Sequence, residues 1–307
     1  MPLLLRLLAP TTVGSLIALS GGCITTLPLP DGFNPAEATE FAELAVSAYD
    51  MRATLQAGDD WLGPDGYAMH GVHTTEQNWN DLSDEPETVP VAWLGSRDET
   101  VFVVFRGTST STEALLDLDI TQVDFPLLSG DGGGTHEGFT ERYVELHPGL
   151  RADIDGLLQT GDFARLAFTG HSLGGSIATL AAATFADEGE LPVLVYSFAS
   201  PRTGDRDFAA RYNGLVDQSW RVTNPRDLVP GFPEESPDGL TGNAEQLFYE
   251  HVEVRTDLPF DDANGRVETD LGVGANHSSC RYLRETCELA ESDEVCAAVV
   301  ADHVSCQ

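Results

Sequence analysis

Ser172 carries the clearest chemical signal in the chain, in the run Gly170-His171-Ser172-Leu173-Gly174-Gly175. The apolar stretch Leu166-Ala167-Phe168-Thr169 before it reads as a short buried strand. The small residues from Ser176 to Ala183 read as a closely packed helix after it. A serine at such a strand-to-helix turn, with glycine two positions to either side, fits a nucleophile elbow. The turn leaves no room for a Cβ at the flanking positions, and the helix N-terminus favours developing negative charge. The chemistry implied is acyl transfer. A serine hydroxyl is a poor nucleophile at neutral pH, so a histidine base and an orienting carboxylate must accompany it.

Where an elbow of this kind carries the serine, the acid follows in the chain and the histidine follows the acid. His251, His277 and His303 qualify. His303 falls in the expected last helix, and His251 alternates with apolar residues in an expected strand, Phe248 to Val254. His277 lies in a loop, Gly274-Ala275-Asn276-His277-Ser278-Ser279, where catalytic placement is freest; it is favoured, with His251 as the alternative. For the acid, Asp227 follows the expected strand Trp220-Arg221-Val222-Thr223, on the sheet edge that carries the elbow. Asp217, Asp257 and Asp270 are its rivals. An oxyanion hole needs two backbone N–H groups, one from Leu173 and one from an earlier loop. Val103-Val104-Phe105-Arg106-Gly107-Thr108, a strand running into a glycine turn, is suited to supply the second.

The elements that must position these groups alternate. Ala36 to Met51 has helical spacing, and Gly58 to Glu87 is polar and irregular. Val89–Leu94 and Thr100–Phe105 read as strands joined by the turn Gly95-Ser96-Arg97-Asp98. Phe139 to Leu158 is helical with a potential break at His147-Pro148. Val193–Phe198 is a further strand, Asp205–Tyr212 a short helix and Ser219–Val222 another strand. Strand–helix alternation predicts an α/β sheet, mostly parallel around the elbow, with a helical pair at the C-terminus.

Fifty acidic residues face sixteen basic ones, all arginine, for a net charge of −34. That balance excludes nucleic acid as a partner, because phosphate repulsion would dominate, and it suits a salty medium. At the N-terminus, Arg6 and the apolar stretch Val13–Leu19 precede Ser20-Gly21-Gly22-Cys23. Residues 1–22 thus read as an export signal, 23–35 as a tether and 36–307 as one domain. The small-small-Cys ending is similar to a bacterial lipoprotein box, which would acylate Cys23 and attach the protein to a membrane of the cell envelope. Ordinary cleavage near Gly22, giving a secreted protein, is the alternative. Cys280, Cys287, Cys296 and Cys306 contain no C-x-x-C, so disulfides are expected rather than a metal site. Along one helix Cys280 and Cys287 would lie about 10 Å apart, beyond bridging range. Folding two helices antiparallel about Glu291-Ser292-Asp293 predicts the nested pairs Cys280–Cys306 and Cys287–Cys296.

Five segments together resemble the class 3 lipases. They are Phe105-Arg106-Gly107-Thr108, His136-Glu137-Gly138-Phe139, Gly170 to Gly175, Phe198-Ala199-Ser200-Pro201-Arg202-Thr203-Gly204 and Asn224-Pro225-Arg226-Asp227-Leu228-Val229-Pro230. The resemblance implies an α/β-hydrolase fold and a lipid-ester substrate, with no metal or cofactor. It also implies a triad of Ser172, Asp227 and His277, with an oxyanion hole at Thr108 and Leu173, and it gives His136 a structural place. Asn276-His277-Ser278-Ser279-Cys280-Arg281-Tyr282 departs from the family by placing asparagine where aspartate is usual. In the family a lid follows the oxyanion residue. Residues 109–118 occupy that place here, with Leu115, Leu116 and Leu118 but no tryptophan and a hydroxyl-rich first half. Such a lid suits soluble esters better than emulsified fat. Lipase and esterase readings, the latter on soluble, feruloyl, phospholipid or polyester substrates, both stay open, as does a catalytically inactive surface-binding module.

Overall fold

A computed structural model describes residues 29–75, 88–108, 120–189, 191–234, 248–252, 254–258, 260 and 276–306. The N-terminal segment through 28, the candidate lid at 109–118 and Asp270 lie outside them. Helix α1 (Pro35–Gln56) starts on Asn34, whose side chain accepts the N–H groups of Ala36 and Glu37. A seven-stranded sheet follows: β1 (Ala68–Thr75), β2 (Val89–Arg97), β3 (Thr100–Phe105), then β6 (Arg165–His171), β7 (Val193–Phe198), β8 (Gln218–Thr223) and β9 (Val254–Asp257). Strands β1, β2 and β3 pair antiparallel, and every pairing from β3 to β9 is parallel. Between β3 and β6 lie a small hairpin, β4 (Gln122–Asp124) with β5 (Gly134–His136), and helix α2 (Glu137–Thr160). Among the described residues the further helices are α3 (Leu173–Glu188), α4 (Arg206–Leu215), α5 (Ser279–Cys287) and α6 (Asp293–Ala301). Antiparallel entry, parallel core and helices on both faces make this an α/β-hydrolase fold.

Strand β3 is apolar on both faces, as burial between two helical layers requires. Val101, Val103 and Phe105 join the core under α2, α3 and α4, while Phe102 and Val104 join the core under α1 and α5. Pro148 lies inside α2, yet the helix is continuous. An interior proline costs about 3 kcal/mol. The buried Tyr143, Leu146, Leu150 and Ile154 of the same helix stabilise it by roughly 2 kcal/mol each, so packing prevails.

Three expectations need correction. Strand β1 falls in the span expected to be irregular; it is an edge strand of alternating exposed and half-buried residues, ordered by its ladder to the buried β2 rather than by an apolar pattern of its own. Residues 248–252 form no strand beyond a single bridge from Glu250 to Gly204, and β9 begins only at Val254. There Tyr249 is buried and its hydroxyl donates to the Ile120 carbonyl at 2.8 Å, tying two loops together instead of extending the ladder. Finally, His303 lies beyond the end of α6, in a turn held to α1: its Nδ1 is 2.6 Å from Asp50 Oδ2. The four C-terminal cysteines form Cys280–Cys306 and Cys287–Cys296, the nested arrangement.

Candidate active site

Ser172 occupies the junction between β6 and α3 with φ 60° and ψ −131°, a left-handed conformation that side chains rarely adopt. The glycines around it are sterically required. A Cβ on Gly170 would stand 2.4 Å from the Gly174 carbonyl, and one on Gly174 would stand 2.3 Å from the Phe105 carbonyl. Real Cβ atoms do not approach so closely, so the elbow and the end of β3 are in direct backbone contact. Leu173 is the first residue of α3, so its N–H has no acceptor within the helix.

Gly107 brings the second candidate donor to the same place. A Cβ there would lie 2.6 Å from the His171 carbonyl and 3.2 Å from Ser172 Cβ, so the loop at 107–108 runs against Ser172. Arg106 locks that loop. Its Nη1 donates to the Gly107 carbonyl at 2.6 Å and its Nε to the Pro90 carbonyl at 3.0 Å. Burial, and secondarily the charge of Arg52, push this guanidinium down to about 10, which still leaves it charged at neutral pH.

His277 and Asp227 converge on Ser172 from loops at the same sheet edge. Ser172 Oγ is 2.8 Å from His277 Nε2, and His277 Nδ1 is 2.8 Å from Asp227 Oδ2. All three residues are buried, His277 at 8% exposure being the most open. Asp227 follows β8 across a turn in which its N–H donates to the Asn224 carbonyl. Its Oδ1 accepts the Val229 N–H at 3.0 Å, and its Oδ2 also accepts the Tyr282 hydroxyl at 2.9 Å. Tyr282 in turn accepts the Asn224 N–H at 2.7 Å. Burial, then the neighbouring Asp227 charge, raise the Tyr282 phenol well above its usual range, so toward Asp227 it is a neutral donor. Asn276 takes part as well, its Oδ1 accepting from Asn224 Nδ2 at 3.4 Å.

The alternatives go elsewhere. His251 sits against the short 3-10 turn that follows Asp227, its Nε2 2.6 Å from the Pro230 carbonyl. Burial and the nearby arginines hold it well below the ordinary histidine range. Asp217 is exposed, and Asp257 accepts from Thr223 and Arg255. His136 is stacked on Phe139 with ring centroids 3.9 Å apart. No local motif marks Tyr49, His171 or Arg106 for a role, and Tyr282 is marked only by its family segment. Tyr49 meets His171, and Tyr282 meets Asp227, across long sequence separations that a local pattern does not reveal.

The family model for Lipase (class 3) matches residues 102–236. The lipase of Rhizomucor miehei is 32% identical over 222 residues, covering 68% of this chain and 59% of that protein. Phospholipase A1-II 4 of Oryza sativa subsp. japonica is 32% identical over 186 residues, covering 53% of this chain and 46% of its own length. The solved triacylglyceride lipase of Rhizomucor miehei superposes with a TM-score of 0.57 at 25% identity, over 73% of this chain and 79% of that one. The chain belongs to the class 3 lipase family. It spans about half the length of the curated relatives it matches.

Proposed function

We propose that this protein is an exported serine hydrolase that cleaves carboxylic esters of lipids. The observation that carries the reading is the unbroken pair of 2.8 Å contacts from Ser172 through His277 to Asp227, set at a strained elbow. In this reading Ser172 Oγ attacks the ester carbonyl carbon as its proton passes to His277 Nε2. Asp227 holds the imidazole by Nδ1 and stabilises the imidazolium. The carbonyl oxygen becomes an oxyanion facing the N–H groups of Thr108 and Leu173. Collapse breaks the bond to the alcohol, which leaves with the proton from His277. Water then attacks the acyl-enzyme, gives its proton to His277, and releases the acid as Ser172 is reprotonated.

The relatives are a lipase and a phospholipase, whose common chemistry is the carboxylic ester of a lipid. Preference for soluble esters is the second reading, favoured by the hydroxyl-rich segment 109–118 without tryptophan. Two disulfides and the N-terminal Ser20-Gly21-Gly22-Cys23 support export, with residues 1–22 as signal, 23–35 as tether and acylated Cys23 as an anchor. Hydrolysis of p-nitrophenyl esters from C2 to C16, below and above their solubility limits, tests the substrate class. A rise with long-chain aggregates marks a lipase, and activity confined to short soluble esters marks an esterase. Equal rates in wild type and Ser172→Ala would sink the nucleophile. Release of the Cys23→Ser protein from the membrane fraction would support the anchor; an unchanged distribution would remove it.

A further inference from the structure

A second histidine lies directly against His277. The His171 ring centroid is 4.7 Å from that of His277, 5.7 Å from Tyr282 and 6.0 Å from Tyr49. His171 is buried, and its Nδ1 is 3.0 Å from the Tyr49 hydroxyl, which arrives from α1, 122 residues away in the chain. The Gly107 backbone N–H reaches the same hydroxyl. Contact there is tight, because a Cβ on Gly107 would stand 2.2 Å from the Tyr49 oxygen. Having accepted from Gly107, the Tyr49 hydroxyl has its own proton to give to His171 Nδ1.

We infer that Tyr49 and His171 are a positioning pair: Tyr49, anchored on Gly107, fixes the His171 imidazole as the wall behind His277 and ties that wall to the loop carrying Thr108. The inference rests on the proposed ester hydrolysis. A phenylalanine would fill the same space, but it would leave the tyrosine hydroxyl without its acceptor and the two sides of the site unlinked. The wall is also electrically quiet. Burial, then the neighbouring His277, hold His171 well below the ordinary histidine range. No second positive charge therefore opposes the imidazolium that forms on His277. Around His171 the titratable neighbours are Tyr49, His277 and Tyr282.

The test combines nitrogen-15 NMR of histidine-labelled protein with kinetics on a short soluble p-nitrophenyl ester, normalised to fluorophosphonate-titrated sites. In the wild type His171 is expected to titrate well below the ordinary histidine range, with its proton on Nε2 while neutral; Tyr49→Phe alters that signature. Tyr49→Phe and His171→Phe each lower kcat about tenfold with KM little changed, as a misplaced base does. The double variant is no worse than His171→Phe alone, because the two residues act as one unit. Tyr49→Phe keeps its ring and carries the test by itself if His171→Phe fails to fold. Titration of His171 in the ordinary range, or a Tyr49→Phe kcat within twofold of wild type, overturns the pair. If the wild type neither cleaves esters nor takes the fluorophosphonate, the proposed function fails, while the NMR still decides the pair.

Discussion

Ser172 and His277 meet at 2.8 Å but are held there by different means. Ser172 sits in a turn made of backbone contacts: Gly170 on Gly174, Gly174 on the Phe105 carbonyl, and Ser172 N–H on the Phe198 carbonyl at 2.9 Å. Its strain is contained by the buried parallel strands β3, β6 and β7 and a helix of small residues. His277 rides on the short approach to α5, and α5 is fastened by side chains and sulfur. Cys280–Cys306 and Cys287–Cys296 join α5 to the tail and to α6. The tail is pinned to α1 where Asp50 accepts from His303 and from the Ser305 N–H. Ser172 is therefore held by backbone packing inside the sheet, whereas His277 precedes a helix that packs on the core through Tyr282 and Leu283 and is cross-linked to the tail.

That contrast can be broken from either side. The largest effect is expected for Asp227→Asn, which leaves the ring in place but favours the wrong tautomer; kcat on a soluble ester falls about 10⁴-fold. Normal turnover in that variant would mean that another carboxylate orients His277. Gly174→Ala attacks the nucleophile side. Its methyl group meets the Phe105 carbonyl at 2.3 Å, and the overpacking costs about 3 kcal/mol or more, read as a lower denaturation midpoint or loss of soluble protein. On the base side, Cys280→Ser with Cys306→Ser removes a bond closing 26 residues and lowers stability by about 3 kcal/mol. Amide exchange should then rise in α5 and α6 and stay unchanged in β6 and α3; a uniform rise would erase the distinction.

Two smaller effects sharpen the same comparison. Tyr282→Phe removes one donor from Asp227 and lowers kcat about tenfold, since a charge-assisted hydrogen bond contributes roughly 1.5 kcal/mol. Asp50→Asn probes the tail. Burial alone would raise the Asp50 carboxyl, but the hydrogen bonds from His303 and Ser305 overcome it and hold it below the usual range. The unfolded chain thus takes up that proton first as pH falls. The Asp50 contribution is complete above the ordinary aspartate pKa and is lost as pH drops through the depressed folded value. Asp50→Asn should cost about 1 kcal/mol at pH 7 and flatten the acid side of the stability profile; an unchanged profile would show that the tail needs no such anchor.

The sequence was most readable where structure is local. The elbow, its strand and its helix follow from a few contiguous residues, because glycine tightness and apolar runs are local facts. His277 is legible from its loop, and Asp227 from its place after a strand and from the family resemblance. Their meeting depends on how β8 and α5 pack, which no short window contains. Strand β1 escaped because its order comes from β2, and the expected strand at 248–254 failed because Tyr249 serves loops 120 and 249 together. The roles of Tyr49, His171, Arg106 and Tyr282 were hidden for the same reason: each acts through groups distant in the chain or through three-dimensional contact alone.

In the proposed mechanism Ser172 is a nucleophile activated by His277. The most direct test is labelling with a fluorophosphonate, followed by peptide mapping of wild type and His277→Ala. A single adduct on Ser172 is expected in the wild type, with labelling slowed by orders of magnitude in the variant. An adduct on another residue, or equal labelling rates in the two proteins, would contradict it.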